Sequence, residues 1–300
     1  MSATVLGHAD GREDPDLPAL TNPAPTAGLL EVFRRRYLLR LLVRREISAR
    51  YSGSFLGLLW SYINPLSQFF IYYFIIGKVF QLHASIPNFA VHIFAALIVV
   101  HFFSETFSAG TRSIVRNKAI VRKMAVPLEM FPVSSMAVSF YHVGPQLIII
   151  TIFCTMMGWT PELFGVACVV LGILIIMVLG TALALMFSAA NVYFRDFGSV
   201  VNIFTNFVRF GVPMIYSYAQ VNERFGAAAP YYMLNPIANA VVLFQRAFWY
   251  GTGDAEQQEK MILPDELLTR GCIVLACCVA FLIVAQMVFR RLEHHIPERI

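Results

Sequence analysis

Apolar residues gather along this chain into runs long enough to cross a bilayer as helix, which takes about 20 residues. Six such runs are predicted, at 55–78, 88–110, 133–157, 162–189, 198–218 and 267–289. Before them, residues 28–50 mix leucine with arginine, and Leu30, Phe33, Tyr37 and Leu41 recur at helical spacing. That pattern predicts an amphipathic helix lying at the membrane interface, with Arg34 and Arg45 snorkelling from near its apolar face. It serves as a topology anchor, as a contact for a partner protein, or as both. Between the fifth and sixth runs, Asn235-Pro236 opens an apolar stretch from Ile237 to Tyr250 that Gly251 closes. The stretch is too short to span and reads as a re-entrant or interfacial helix on the external side. Residues 1–27 hold no apolar run and are rich in Pro, Ala, Asp and Thr, the composition of a disordered tail and not of a cleavable leader. The predicted organisation is therefore an all-α integral membrane protein: a cytoplasmic tail (1–27), an interface helix (28–50) and a six-span domain (51–300).

Two of the runs carry polar residues in stripes. In the first, Ser61, Asn64, Gln68 and Tyr72 stack on one helical face; in the fifth, Asn202, Thr205, Asn206, Arg209 and Tyr216 do the same. An arginine inside a span is costly in lipid, so Arg209 must face the bundle interior or water. Hydrogen bonds between helices account for one or two such residues. Two whole stripes fit an aqueous path better.

Composition confirms the class: 58% of residues are apolar and 14% charged, against about 45–50% and about 25% in soluble domains. The net charge of +5 follows topology rather than nucleic acid, because most Lys and Arg flank the spans on one side. That side holds the arginines up to Arg50, the 112–123 cluster, Arg195, Arg290, Arg291 and Arg299, whereas Lys78, Arg224, Arg246, Lys260 and Arg270 fall on the other. The asymmetry places both termini in the cytoplasm.

Candidate chemistry is sparse. The five cysteines lie in or beside apolar runs without a Cys-x-x-Cys pair and read as small buried apolar residues. His92 and His101 are out of phase on a helix, and His294-His295 reads as a solvated pair, so no metal site is predicted. No phosphate loop, His-Glu-x-x-His or Gly-x-Ser-x-Gly occurs, so this chain does not bind ATP by such a loop. Glu105 lies near the cytoplasmic end of the second run with its role open, while Arg195 and Asp196 suit helix capping. The loop 112–132, with Pro127 and Pro132, predicts a broken helix that is either a docking surface or a basic connector. Aromatics including Trp60, Phe69, Tyr73, Phe204 and Tyr218 are belt residues, packing residues or platforms for sugar rings.

The block Arg50-Tyr51, Ser54, Leu56-Gly57, Leu59-Trp60-Ser61, Asn64-Pro65 resembles that of the permeases of ABC-2 polysaccharide exporters. Asn191 to Asp196 resembles the family's Asn-x-x-Phe-Arg-Asp segment, and Leu234-Asn235-Pro236, Phe244-Gln245-Arg246 and Tyr250-Gly251 continue the likeness. In overall look the chain is most similar to mycobacterial-type exporters of lipid-linked galactan. The resemblance implies a homodimer in the bacterial inner membrane, paired with two copies of a separate ATP-binding cassette ATPase that carries ATP and magnesium. It implies that Trp60, Ser61, Asn64, Gln68, Tyr72, Asn202, Thr205, Asn206, Arg209 and Tyr216 line a channel. Asn235, Arg246, Trp249 and Tyr250 then belong to an external gate. In the mechanism that follows, Arg36, Arg40, Arg44, Arg45 and Arg50 attract the anionic head of a polyprenyl-linked polysaccharide in the membrane lipid. Arg116, Lys118, Arg122 and Lys123 couple to the ATPase, and this chain holds no cofactor, metal or nucleic acid. An ABC-2 permease for a drug or lipid is the alternative within the architecture. A membrane-embedded glycosyl or polyprenyl enzyme is the alternative outside it, and it lacks the paired acids it would need.

Overall fold

The computed structural model describes residues 28–81, 85–124, 126–293 and 296, without the side chain of Leu58. The predicted tail 1–27 and the pair His294-His295 lie outside the described residues. Every long described element is a helix. The interface segment forms two pieces, α1 (Leu29–Arg34) and α2 (Arg36–Tyr51), broken where Arg35 leaves helical geometry at φ −93° and ψ 37°. The uninterrupted helix expected over 28–50 is thus hinged. Next come α3 (Trp60–Ile71), running on as a π-helix (Tyr72–Val79), and α4 (Phe89–Arg116). The short α5 (Lys118–Lys123) precedes α6 (Met130–Met156) and α7 (Leu163–Tyr193). After α8 (Phe197–Val208) the chain makes α9 (Tyr218–Phe225), α10 (Ala229–Tyr232), α11 (Pro236–Ala247), α12 (Ala255–Lys260) and finally α13 (Leu267–Glu293).

Four of these, α4, α6, α7 and α13, are long and apolar enough to cross a membrane, and the protein is an all-helical, multi-pass membrane protein. Helix α4 is the centre, packed along α6, α7, α8 and α11, with 78% of its apolar window buried against 17% for α13. Close approach depends on small residues, as membrane helix interfaces generally do. A Cβ built at Gly110 of α4 would lie 2.5 Å from the Ala184 methyl of α7, and one at Gly180 of α7 would lie 2.8 Å from Thr106 Cγ2.

The fifth predicted span is shorter than expected. Helix α8 stops at Val208 because Pro213 has no N–H for the Arg209 carbonyl and its ring collides with that turn. Twelve residues rise about 18 Å, and the chain continues as turns to Ser217. The 112–132 loop breaks as predicted into α5 and a non-helical stretch before α6. Helix α11 is nearly all buried, wedged against α7, α4 and α13. Two apolar clusters result. The larger runs from mid-bundle to the end holding Trp159, Met233, Trp249 and Met261; the smaller joins Val32 and Leu42 to Ile114, Phe131, Leu185 and Phe289 at the opposite end.

Candidate functional site

Helical spacing brings a third set of polar side chains together, inside the bundle. Helix α4 places His101 and Glu105 one turn apart, and α6 places Ser135, Ser139, His142 and Gln146 on the face opposite. All four α6 residues are buried, and the last turns of α2 bring Glu46, Arg50 and Tyr51 against them. Arg50 forms an ion pair with Glu105, whose side chain is 10% exposed, while Arg50 itself remains 48% exposed. His142 Nδ1 lies 3.2 Å from Glu105 Oε1, and its Nε2 lies 3.0 Å from the Tyr51 hydroxyl. Arg50 Nη1 lies 3.2 Å from the same Nδ1, so the imidazole stands between the ion pair and the phenol. Tyr51 also meets the Ser61 hydroxyl at the start of α3. Gln146 Nε2 donates to the His142 carbonyl at 3.0 Å and lies 3.3 Å from His101 Nδ1. A second ion pair, Arg116 with Glu46, ties α4 to α2, and the Ser134 and Ser135 hydroxyls reach Glu46 at 3.4 and 3.5 Å.

Two cavities flank this cluster. A partly open cleft of about 330 Å³ lies between α2, α4 and α6, lined by Arg45, Glu46, Arg50, Glu105, Arg116 and the three serines Ser134, Ser135 and Ser139. A second, more open pocket of about 230 Å³ is lined by Arg50, Tyr51, His101, Glu105 and His142 on one side and by Trp60, Ser61 and Asn64 of α3 on the other.

The structure distributes the sequence-predicted residues unevenly. On α3, Ser61 is buried, Trp60 and Asn64 are exposed and Gln68 is half-buried; Tyr72 sits half-buried at the start of the π-helix. On α8, Asn202 and Asn206 are exposed and Thr205 is buried, with Asn202 held by Arg112 of α4. Arg209 closes α8 half-buried and lies in electrostatic reach of His101. Tyr216 is not on the α8 stripe, since the helix has ended; its hydroxyl donates to the Phe210 carbonyl at 2.9 Å and meets Tyr232 at 3.0 Å. Burial, and then that contact with Tyr216, pushes the Tyr232 phenol above its ordinary range, so it stays a neutral hydroxyl.

Among the basic residues, Arg36, Arg40 and Arg44 lie on the outward side of α2, beside the exposed Leu30, Phe33, Tyr37 and Leu41. Only Arg45 and Arg50 of that set reach the cleft, where Arg45 Nη1 donates to Asn117 Oδ1 at 3.2 Å. Arg116 is engaged with Glu46, while Lys118, Arg122 and Lys123 are exposed on α5. At the other end, Asn235 caps α11 and donates to the Gly211 carbonyl at 3.2 Å. Arg246 lies over the rings of Phe164 and Tyr250 at 5.0 and 4.5 Å. Trp249 is 1% exposed and donates to the Pro87 carbonyl at 2.6 Å.

Capping departs from expectation as well. Asp196 makes no side-chain cap, and the Gly198 N–H of the first turn of α8 donates instead to Asn191 Oδ1 at 3.1 Å. Among the described residues, no three His, Cys, Asp or Glu side chains group as a metal site would require. The signal for the missed His142 was present: Ser135, Ser139, His142 and Gln146 form a helical stripe as regular as those on the first and fifth runs.

Residues 37–249 match the family model described as ABC-2 type transporter. An O-antigen export system permease protein RfbA of Klebsiella pneumoniae is 27% identical over 235 residues, covering 77% of this chain and 88% of the relative. The protein of that name from Myxococcus xanthus is 28% identical over 223 residues, covering 73% and 83%. A further Klebsiella pneumoniae RfbA is 25% identical over 264 residues, covering 87% and 94%.

Proposed function

The chain belongs to the ABC-2 type transporter family, and we propose that it is the permease subunit of an ATP-driven exporter of a lipid-linked polysaccharide. It is a transport component, not an enzyme. The cargo is a cell-envelope glycan, a galactan or an O-antigen-like chain, taken from the cytoplasm across the bacterial inner membrane. The observation that carries this reading is that three relatives, each covered over 83% or more of its length, bear the name of O-antigen export permeases.

Two copies of the chain assemble with two copies of an ATPase that holds ATP and magnesium. Each copy crosses the membrane six times, with α3 and its π-helical extension as the first span and α8 with the 209–217 segment as the fifth. Helix α11 is the re-entrant element of the external side, and both termini are cytoplasmic. The exposed polar groups Asn64 of α3 and Asn206 of α8 support a hydrophilic path along these two helices, because lipid cannot satisfy them. Lys118, Arg122 and Lys123 on α5, exposed at the end of the bundle where α2 lies, suit contact with the ATPase.

The test is co-purification. The chain is expected to isolate with an ATPase whose turnover rises with a lipid-linked glycan, and Arg209→Leu is expected to abolish export while leaving the complex assembled. An Arg209→Leu complex that still exports glycan at the wild-type rate removes Arg209 from the path. Turnover that answers to a free lipid or drug, and not to the glycan, moves the chain to another branch of the family.

A further inference from the structure

At the end of the bundle opposite α2, where the membrane helices α7 and α13 begin, lies an open pocket of about 660 Å³. Its walls come from the first turn of α7, the last turn of α11, α12 and the chain entering α13. Arg246 of α11 is held flat in it. Its guanidinium carbon lies 5.0 Å from the centre of the Phe164 ring and 4.5 Å from that of Tyr250, the stacking that arginine favours. The rings fix the plane of the group and leave its N–H edge unused. The Arg246 side chain is 23% exposed, and its one ion partner among the described residues is Glu162 at 3.8 Å. That separation is beyond hydrogen-bond reach. A guanidinium largely withdrawn from water, with its fork unbonded among the described residues, is a seat for an oxyanion.

An oxyanion alone does not fit the rest of the pocket. Glu259 and Glu266 line it as well, both exposed and neither in an ion pair among the described residues, so one cation meets two carboxylates. The Gln258 amide donates to the Tyr250 and Gly253 carbonyls at 3.4 and 3.0 Å, and its oxygen is a further acceptor on the same wall. Glu266 stands there at φ 54°, in the left-handed region where glycine is at ease and other residues are uncommon. Ile262, Leu263, Leu267 and Leu268 make the remaining wall apolar. Along the same two membrane helices, Val166 and Val170 of α7 and Ile273 of α13 are exposed, as faces covered by acyl chains are. The pocket thus lies where hydrocarbon gives way to head groups.

We infer that this pocket binds the head group of a phospholipid bearing a primary ammonium, phosphatidylethanolamine being the simplest, in the leaflet opposite α2. The phosphate accepts from the Arg246 fork, and the ammonium donates its three N–H groups to Glu259, Glu266 and the Gln258 oxygen. Phosphatidylglycerol supplies the phosphate but leaves both carboxylates without a cation. Phosphatidylcholine supplies a cation with no N–H to donate. So bound, the ethanolamine lipid ties the end of α11 to α7 and to the start of α13.

The test titrates the full chain in detergent micelles with the three lipids, matched in acyl chains, and reads bound lipid by native mass spectrometry. Glycerophosphoethanolamine serves as the soluble probe. Phosphatidylethanolamine is expected to bind about tenfold tighter than either other lipid, and Arg246→Gln to raise its Kd about tenfold. Glu266→Gln is expected to raise that Kd about three- to tenfold, yet to lower the Kd for phosphatidylglycerol about two- to threefold, because a like charge is gone. The opposite signs separate recognition from a structural role, in which every lipid responds alike. Glu266→Gly guards against a folding defect, since it removes the carboxylate and relieves the backbone; a chain that melts no lower must still lose the preference. Equal affinity for the three lipids in the unaltered chain, or a preference that survives Glu266→Gln, overturns the inference. Glycerophosphoethanolamine binding as tightly as the lipid keeps the ammonium and phosphate chemistry and overturns the membrane source.

Discussion

Replacing Gly110 with alanine puts a methyl group where α4 and α7 touch. The new Cβ would lie 2.5 Å from the Ala184 methyl and 3.5 Å from Ala184 Cα. Carbon atoms pack at about 3.5–4.0 Å, so the methyl pair is too close by about 1–1.5 Å. Ala184 cannot swing aside, because its methyl is fixed to the α7 backbone and is fully buried. The helices must separate, at an overpacking cost of about 1–3 kcal/mol. Alanine also favours helix over glycine by about 0.5–1 kcal/mol, which leaves a net loss of up to about 2.5 kcal/mol. The decisive measurement is a double-mutant cycle with Ala184→Gly. Without the Ala184 methyl, the nearest atom is Ala184 Cα at 3.5 Å, an ordinary contact. In that background Gly110→Ala should become stabilising, reversing sign, with a coupling of about 1–3 kcal/mol. Reversible unfolding in mixed detergent micelles, followed by tryptophan fluorescence, reads both backgrounds. Equal effects in the two would refute the close approach of α4 and α7 at this point.

Two further substitutions probe the ends of α8. Asn191→Ala removes the acceptor for the Gly198 N–H and should cost about 0.5–2 kcal/mol, as helix caps do, whereas Asn191→Asp should retain the melting temperature. A melt unchanged by the alanine would show the cap to be idle. Gln245→Leu removes the 2.6 Å bond to the Pro213 carbonyl from a fully buried side chain. It should cost about 0.6–1.7 kcal/mol, the range for side-chain hydrogen bonds in membranes. Hydrogen exchange should quicken in 209–217, and unaltered exchange there would mean that the segment is held by other contacts.

Periodicity made the long helices legible, because a run of Val, Leu, Ile and Phe has no use in water. The same arithmetic found the stripes of α3 and α8, which are properties of one helix each. It could not find the Arg50–Glu105 pair. Those residues are fifty-five positions apart, and each taken alone looks like an arginine at a helix end and an acid near another. Pairing between helices depends on crossing position and rotation, which no single-helix pattern encodes. Helix ends escape the pattern for a related reason. Apolar residues continue past Arg209 to Ile215, but Pro213 acts on the backbone four residues earlier, and an apolar scale does not register a missing N–H. Trp249 is a further case: its indole is held inside the core by the Pro87 carbonyl, 162 positions away in the chain.

The burial of individual helices bears on where a path could run. Helix α13 exposes Ile273, Val279, Ile283 and Met287, an outward face that acyl chains solvate as readily as protein does. Helices α3 and α8 are different. Their exposed sides carry Phe70, Ile71, Ile203 and Phe207, but also Asn64, Asn202 and Asn206. Amide groups in hydrocarbon find no partner, and a side-chain amide left so is costly. Arg112 satisfies Asn202 from within the chain, whereas a rotation that turned Asn64 into lipid would not supply it with a donor or acceptor. With α8 ending after about 18 Å, the proposed fifth span would be completed by a turn-rich segment whose backbone also needs polar neighbours. Under the proposed reading both needs have one answer: the α3 and α8 faces meet water and a second copy of the chain, and the outward faces of α13 and α6 meet lipid.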